Sequence, residues 1–138
     1  MSNAIKDILD NASAVTNDLA NGADSIMHLI EGQGEAVPYI ILQSSIVNPN
    51  GTQTGQVIDE WDVSVFIISN YLYDEGASIG VHTIGANVRT ALHDTSGTYA
   101  GENVAGVIFR DQLPPQIIQA NTVQRVMMEQ TYTMHIHR

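Results

Sequence analysis

The spacing of apolar residues changes once between Gln56 and His93, and this change restricts the chain to a fold that mixes strands with helices. From Gln56 or Val57 to Ser69 the residues alternate as in a strand with two different faces. One face carries Trp61, Val63, Val65 and Ile67, and the other carries Glu60, Asp62 and Ser64, followed by Phe66 and Ile68. From Asn70 to His93 the spacing predicts an amphipathic helix with an apolar stripe of Ala77, Val81, Ile84, Val88 and Leu92.

The rest of the chain completes a mixed order of elements. A helix is predicted over residues 3–19 with Asn3 as its N-cap, and further strands over 25–31, 37–47, 104–113 and 122–137. The resulting order, α-β-β-β-α-β-β, predicts an α+β fold: a mostly antiparallel sheet of about five strands with the main helix packed on one face. We expect a single domain over residues 1–138, made of the N-terminal helix 3–19 and a β-α-β core over 25–138.

Local residue choices refine this prediction. Pro38 cannot donate to a strand ladder, so it belongs among the first residues of its strand. Gly76, Gly80 and Gly85 weaken the main helix but allow a close approach to the sheet. In the strand over 104–113 the alternation places Ala105, Val107 and Phe109 on one face.

The last predicted strand is long for a small domain. Its alternation places Val126, Met128, Tyr132, Met134 and Ile136 on one face, and Arg125, Glu129, Thr131, Thr133, His135 and His137 on the other. About 16 residues would span roughly 50 Å. We therefore expect the strand either to be bulged or to project and pair with another subunit.

Composition excludes several classes of function. The chain has no cysteine, which excludes disulfides, thiolate metal sites and cysteine nucleophiles. Its 5 Lys and Arg residues against 15 Asp and Glu residues give a net charge of −10, which is unsuited to neutralising phosphates in tight nucleic-acid binding. The apolar runs are only a few residues long, so no membrane partner is predicted.

One motif suggests a nucleophilic serine. Gly76-Ala77-Ser78-Ile79-Gly80 matches the pattern of a nucleophile elbow, in which the serine sits on a tight turn from strand to helix. Here six residues separate the strand from the motif, and Ser78 is predicted inside the helix, opposite the apolar stripe. We therefore predict no catalytic residue and no enzyme.

Histidines and carboxylates offer two further candidate sites. His135 and His137 share a strand face and could chelate one ion, but a third ligand is not obvious, whereas His82 and His93 lie about 16 Å apart on a helix. Asp59 and Glu60 point to opposite faces, while Glu60 and Asp62 share one without a recognisable pocket. Solvated strand surfaces explain both sets better, so we predict no metal and no cofactor. A small α+β ligand-binding or hydrolase-like domain, or a metal site at His135 and His137, remains the alternative.

The chain from Val37 onward resembles the tail completion and tail terminator proteins of long-tailed bacteriophages. Val37-Pro38-Tyr39-Ile40 resembles the strand opening of that family, and Trp61-Asp62-Val63-Ser64-Val65-Phe66 resembles its next strand. An aromatic and acidic turn, Tyr71 to Glu75, then leads to a helix that ends in Arg89-Thr90-Ala91-Leu92, and two strands close the domain. The resemblance covers about 100 residues, and the order and spacing of elements carry it.

This resemblance implies a structural virion protein rather than an enzyme. It implies self-association into a ring, expected to be a hexamer, at the head-proximal end of a phage tail, with the tail tube protein and head-tail connector proteins as partners. Genomic DNA would pass through without specific binding, and assembly would take place in the host cytoplasm. Whether such a ring terminates the tube or serves as an adaptor on the connector stays open.

The ring would give the exposed polar residues a role. We expect the oligomer or lumen surface to include Glu60, Asp62, Asn50, Gly51, Thr52, Arg125, Glu129, His135 and His137. Glu60 and Asp62 are expected to line the lumen, where negative charge would keep passing DNA from binding.

Overall fold

A computed structural model describes residues 2–28, 36–48, 58–120 and 123–137. Two short helices, α1 (Ala4–Asp10) and α2 (Ser13–Thr16), and a 3-10 helix (Gly22–Ser25) precede the strands β1 (Ile26–His28), β2 (Tyr39–Asn48) and β3 (Ile58–Ser69). Helix α3 (Val81–Leu92) follows, and then β4 (Gly97–Tyr99), β5 (Glu102–Gln112), β6 (Gln116–Ala120) and β7 (Val123–His137). No helix in these ranges is long and apolar enough to cross a membrane.

The described residues form a sheet of seven strands, whereas the sequence predicted about five. Its order is β1-β2-β3-β7-β5-β4, with β6 also paired to β7, and only β1 and β2 run parallel. The mixed α+β class and the mostly antiparallel sheet are confirmed, and β2 begins directly after Pro38. The missed strands are β4, which has three residues, and β6, which follows Pro114-Pro115 and was predicted as loop. Each forms a hairpin with the strand that follows it, in a segment too short to show a clear alternation.

The predicted N-terminal helix over 3–19 is divided in two. The Asn11 side chain donates to the Asp7 carbonyl oxygen at 2.9 Å, and the backbone becomes extended at Ala12. Asn3 occupies the N-cap position, as predicted, but its side chain makes no capping hydrogen bond. Instead, Asn3 Oδ1 contacts His28 Nε2 at 2.9 Å, and the Ser2 hydroxyl oxygen accepts the Ala4 N–H at 3.2 Å. Ser2 thus satisfies one of the free donors at the start of α1.

Strand β7 is paired with neighbouring strands along its whole described length. It pairs with β3 over residues 126–137 on one side, and with β5 and β6 on the other. Neither end of the described strand projects unpaired. The bulges that the sequence suggested for β7 are found instead in its partner β5, which at two register shifts carries the extra residues. One of them is Ala105, which is therefore exposed, while Val104 and Val107 are buried instead.

All the helices pack against one face of the sheet. The predicted core residues of β3 (Trp61, Val63, Val65, Ile67) and of β7 (Val126, Met128, Tyr132, Met134, Ile136) belong to this core, together with Val81, Ile84, Val88 and Leu92 of α3. The helix begins at Val81 rather than near Asn70, because Gly76 adopts a left-handed conformation (φ 60°) and Glu75 and Ser78 pair across a tight turn. Ala77 consequently lies outside the helix.

Helix α3 approaches the sheet most closely at Gly85. A side chain added there would overlap the Met128 methyl group and place its Cβ 2.9 Å from Gln130 Nε2. Gln130 is fully buried, and its Nε2 donates to the Gly85 carbonyl oxygen at 2.9 Å. The close approach expected from the small residues of this helix is therefore found at Gly85.

We predict that Gly85→Val destabilises the fold. The larger side chain must displace Met128 and disturb the Gln130 hydrogen bond, so the free energy of unfolding should fall by about 2–4 kcal/mol. Ala86→Val is the matched control, since Ala86 is exposed on the same helix and should cost under about 1 kcal/mol. Urea denaturation measures both, and equal effects of the two variants would contradict the packing described here.

Candidate assembly surface

The face of the sheet opposite α3, here called the open face, is not covered by any of the described helices. Its side chains alternate with the buried residues of β2, β3, β7 and β5, and are half-buried or exposed for the most part. It includes Gln43, Ser45, Glu60, Asp62, Ser64, Glu129, Thr131, His135, His137, Arg110 and Asp111. A broad, largely polar sheet face of this kind suits contact with other macromolecules or with a water-filled channel.

Cross-strand neighbours order the centre of the open face. Glu60 lies directly opposite His135, with Oε1 and Nε2 3.4 Å apart and side chains 42% and 37% exposed. Asp62 lies opposite Thr133, whose hydroxyl oxygen accepts a hydrogen bond from Arg110 Nη1 at 2.9 Å. Such partly exposed pairs contribute little to stability, so they leave these charges available for other contacts.

One end of the open face is apolar. Met27, Tyr39 and Ile68 form a second small core, against which Val37, Ile41, Phe66, Ile118 and Met127 pack. Arg125 covers Tyr39, with Cζ 5.7 Å from the ring centroid and Nη1 donating to the Tyr39 hydroxyl at 3.3 Å. The signal was present in the sequence, since both faces of the 37–47 segment are apolar at its start.

Because side chains alternate between the two faces along β3 and β7, six of the nine predicted surface residues lie on the open face: Glu60, Asp62, Arg125, Glu129, His135 and His137. Asp59 points the opposite way, as expected, and is only 3% exposed. The other three predicted surface residues, Asn50, Gly51 and Thr52, lie outside the described ranges.

The serine motif lies in the loop before α3, so the prediction that Ser78 falls inside the helix is wrong. Ser78 is exposed, and its backbone is paired with Glu75 by two hydrogen bonds of 2.9 Å. The nearby Asp74 accepts the Gly80 N–H at 2.9 Å, and this bond, with one from Thr83, holds the pKa of Asp74 below its usual range. The Asp74 carboxylate thus caps the start of α3 and is not shown in contact with Ser78.

Two clefts flank the sheet. One, of about 310 Å³, is lined by Ser78 together with Asn17, Asp18, Asn70 and Tyr71, and no histidine is among its described lining residues. The other, of about 530 Å³, is lined by Asp59, Trp61, Glu102 and His137. Within the described ranges, no three His, Asp or Glu side chains are grouped so that they could hold a metal ion. Ser78 and His137 thus line different clefts.

The fold is thus a mixed α+β sheet with helices on one face and a largely polar open face on the other. A family model described as "Tail completion protein gp17" matches residues 3–113. The chain therefore belongs to the tail completion protein gp17 family of phage virion proteins. This is a family of structural proteins.

Comparison with solved structures agrees with this fold. A chain of the "Virion of native gene transfer agent (GTA) particle" has a TM-score of 0.66 and 12% sequence identity, and the match covers 98% of this chain and 92% of that one. No curated protein matches the chain at the same level of significance. At this identity the structural match establishes the fold, while the family match establishes the structural role in the virion tail.

We predict that the carboxylates of the open face are dispensable for folding. Glu60→Gln with Asp62→Asn should change the free energy of unfolding by less than about 1 kcal/mol, because both side chains are solvated. Asp59→Ala is the contrasting variant: Asp59 is buried and interacts within the fold, so its loss should cost about 1–3 kcal/mol. Thermal and urea unfolding would measure both, and a larger loss for the double variant would show that the face is a folding element.

Proposed function

We propose that six copies of this chain form a ring at the head-proximal end of a phage tail. The ring would terminate the tail tube and join it to the head connector, with the tail tube protein and the connector proteins as its partners. The observation that carries this proposal is membership of the tail completion family over residues 3–113. The fold supports it, because the described residues offer a broad, largely polar sheet surface.

The open face would line the channel of the ring. Its charged side chains within the described ranges include four carboxylates, Glu60, Asp62, Asp111 and Glu129, against the two arginines Arg110 and Arg125. Repeated around a ring, this excess would create a negative lumen that repels the phosphates of passing DNA. The genome would then move through the ring without binding specifically.

Oligomer mass tests the ring directly. Multi-angle light scattering of the purified chain over a range of concentrations should give a species of about six times 15.0 kDa, because a heterologous contact closes into a ring. Negative-stain images of that species should show a central channel. A chain that stays monomeric or forms only closed dimers would contradict the proposal.

Reversing the charge of the open face tests the lumen. Rings of Glu60→Lys with Asp62→Lys should bind linear duplex DNA, which can thread the channel, and bind closed circular DNA much less, with an affinity that falls steeply as salt is raised. The matched control, Ala86→Lys with Thr90→Lys, adds lysines to exposed positions of α3 on the other side of the sheet. The control should bind linear and circular DNA with equal affinity. If the Glu60→Lys, Asp62→Lys variant also binds the two forms equally, Glu60 and Asp62 lie outside the lumen.

A further inference from the structure

At one end of the sheet, the strand order becomes β1-β2-β3-β7-β6. The row of paired residues that contains Tyr39 runs through Ile68 and Met127 to Gln116 of β6. The row that contains Met27 of β1 runs through Ile41 and Phe66 to Glu129, two residues past the last residue of β7 that pairs with β6. Here β1 and β6 are the two edges of the sheet. Among the described strands, β1 pairs only with β2, and β6 pairs only with β7.

The neighbouring edge, along β5, is protected by the chain itself. Strand β4 covers its first residues, and the Asp94 N–H donates to the Val107 carbonyl oxygen at 2.8 Å. His93 Nδ1 accepts the Phe109 N–H at 3.0 Å, and two register shifts bend the strand. Occupied backbone groups and bulges of this kind prevent an edge from pairing with another chain.

The edge at β6 lacks these protections in the described structure. Its sequence, Gln116-Ile117-Ile118-Gln119-Ala120, carries no charge and is rich in residues that favour strands. Ala120 pairs with Val123 across two residues, so Ile117 and Gln119 alternate with the residues that bond to β7 and direct their N–H and C=O groups outward. The Ile117 side chain is 65% exposed and Leu113, just before the strand, is 39% exposed.

The directions of the two edge strands match. Strand β6 is antiparallel to β7, β7 is antiparallel to β3, and β3 is antiparallel to β2, with which β1 runs parallel. Strand β1 therefore runs opposite to β6. A second copy in the same orientation, placed beside β6, would present its β1 in the antiparallel sense, which gives the more stable strand pairing.

We propose that β6 of one copy pairs with β1 of the next, so that the sheet continues from subunit to subunit. This inference rests on the ring proposed above and assigns the contact within it. The occupant is a second copy because one chain offers both edges and the two run in opposite directions. The edges are staggered along the sheet, since β6 pairs with residues 123–127 of β7 whereas β1 is level with residues 128–130. A contact between two different surfaces of identical chains repeats head to tail, and it closes into a ring when the rotation allows. The pairing also covers Ile117, which no part of the described chain buries.

Disulfide trapping tests this contact, because the chain has no cysteine of its own. Ile117 lies opposite Val126 on the helix-facing side of the sheet, and His28 lies opposite Leu42 on the same side. Under mild oxidation, Ile117→Cys with His28→Cys should give a ladder of covalent species up to the ring. The matched control, Ile117→Cys with Met27→Cys, places the two thiols on opposite faces and should give no species larger than a dimer.

A backbone variant gives an independent measurement. Ile117→Pro removes an outward N–H while leaving the bonds of β6 to β7, so it should abolish rings without lowering the melting temperature by more than a few degrees. Ile117→Thr keeps that donor and should still form rings. A monomeric wild-type chain would overturn the ring and this pairing together. Two results would overturn only the pairing and leave the ring intact. One is that the wild type forms rings but the Ile117→Cys, His28→Cys variant gives no covalent ladder, and the other is that Ile117→Pro still forms rings.

Discussion

The fold depends on the contact between α3 and the centre of the sheet at Gly85. The amide of Gln130, fully buried in β7, donates to the Gly85 carbonyl oxygen and to Gln112 Oε1 at 3.1 Å, while its own Oε1 accepts the Tyr132 hydroxyl at 2.8 Å. Burial raises the pKa of Tyr132 far above its ordinary value, so this hydroxyl remains a donor. Since a buried amide is costly without partners, this network fixes where the helix sits, and the helix in turn leaves the opposite face open.

The sequence predicted those parts of the fold that local periodicity determines. Alternation in β3 and β7 identified their buried residues, because a strand places every second side chain on one face. It failed where strand pairing rather than local periodicity decides the structure. Strand β6 forms because the following strand β7 pairs with it, and Ala105 turns outward because β5 carries an extra residue there. The start of α3 was misplaced because the helical spacing continues back through a loop that Gly76 turns.

The candidate surface followed from the same alternation. Glu60, Asp62, Glu129, His135 and His137 share the open face because of their positions along two paired strands, which no residue type could have shown alone. The apolar end of that face was indicated only by the two apolar faces at the start of the 37–47 segment, since the full cluster gathers residues from five strands: Met27, Tyr39, Phe66, Ile118 and Met127 among them. The serine motif shows the converse, because a matching sequence pattern did not bring a histidine to the cleft that Ser78 lines.

The central claim is that this chain acts as a ring at the junction of tail and head. The most direct measurement is a cryo-electron microscopy reconstruction of the particle that contains it. We expect density for a ring of this chain between the last layer of the tail tube and the head connector, with Glu60 and Asp62 facing the channel. Density for the chain at another position in the particle, or a channel lined by α3 instead of the open face, would contradict this account.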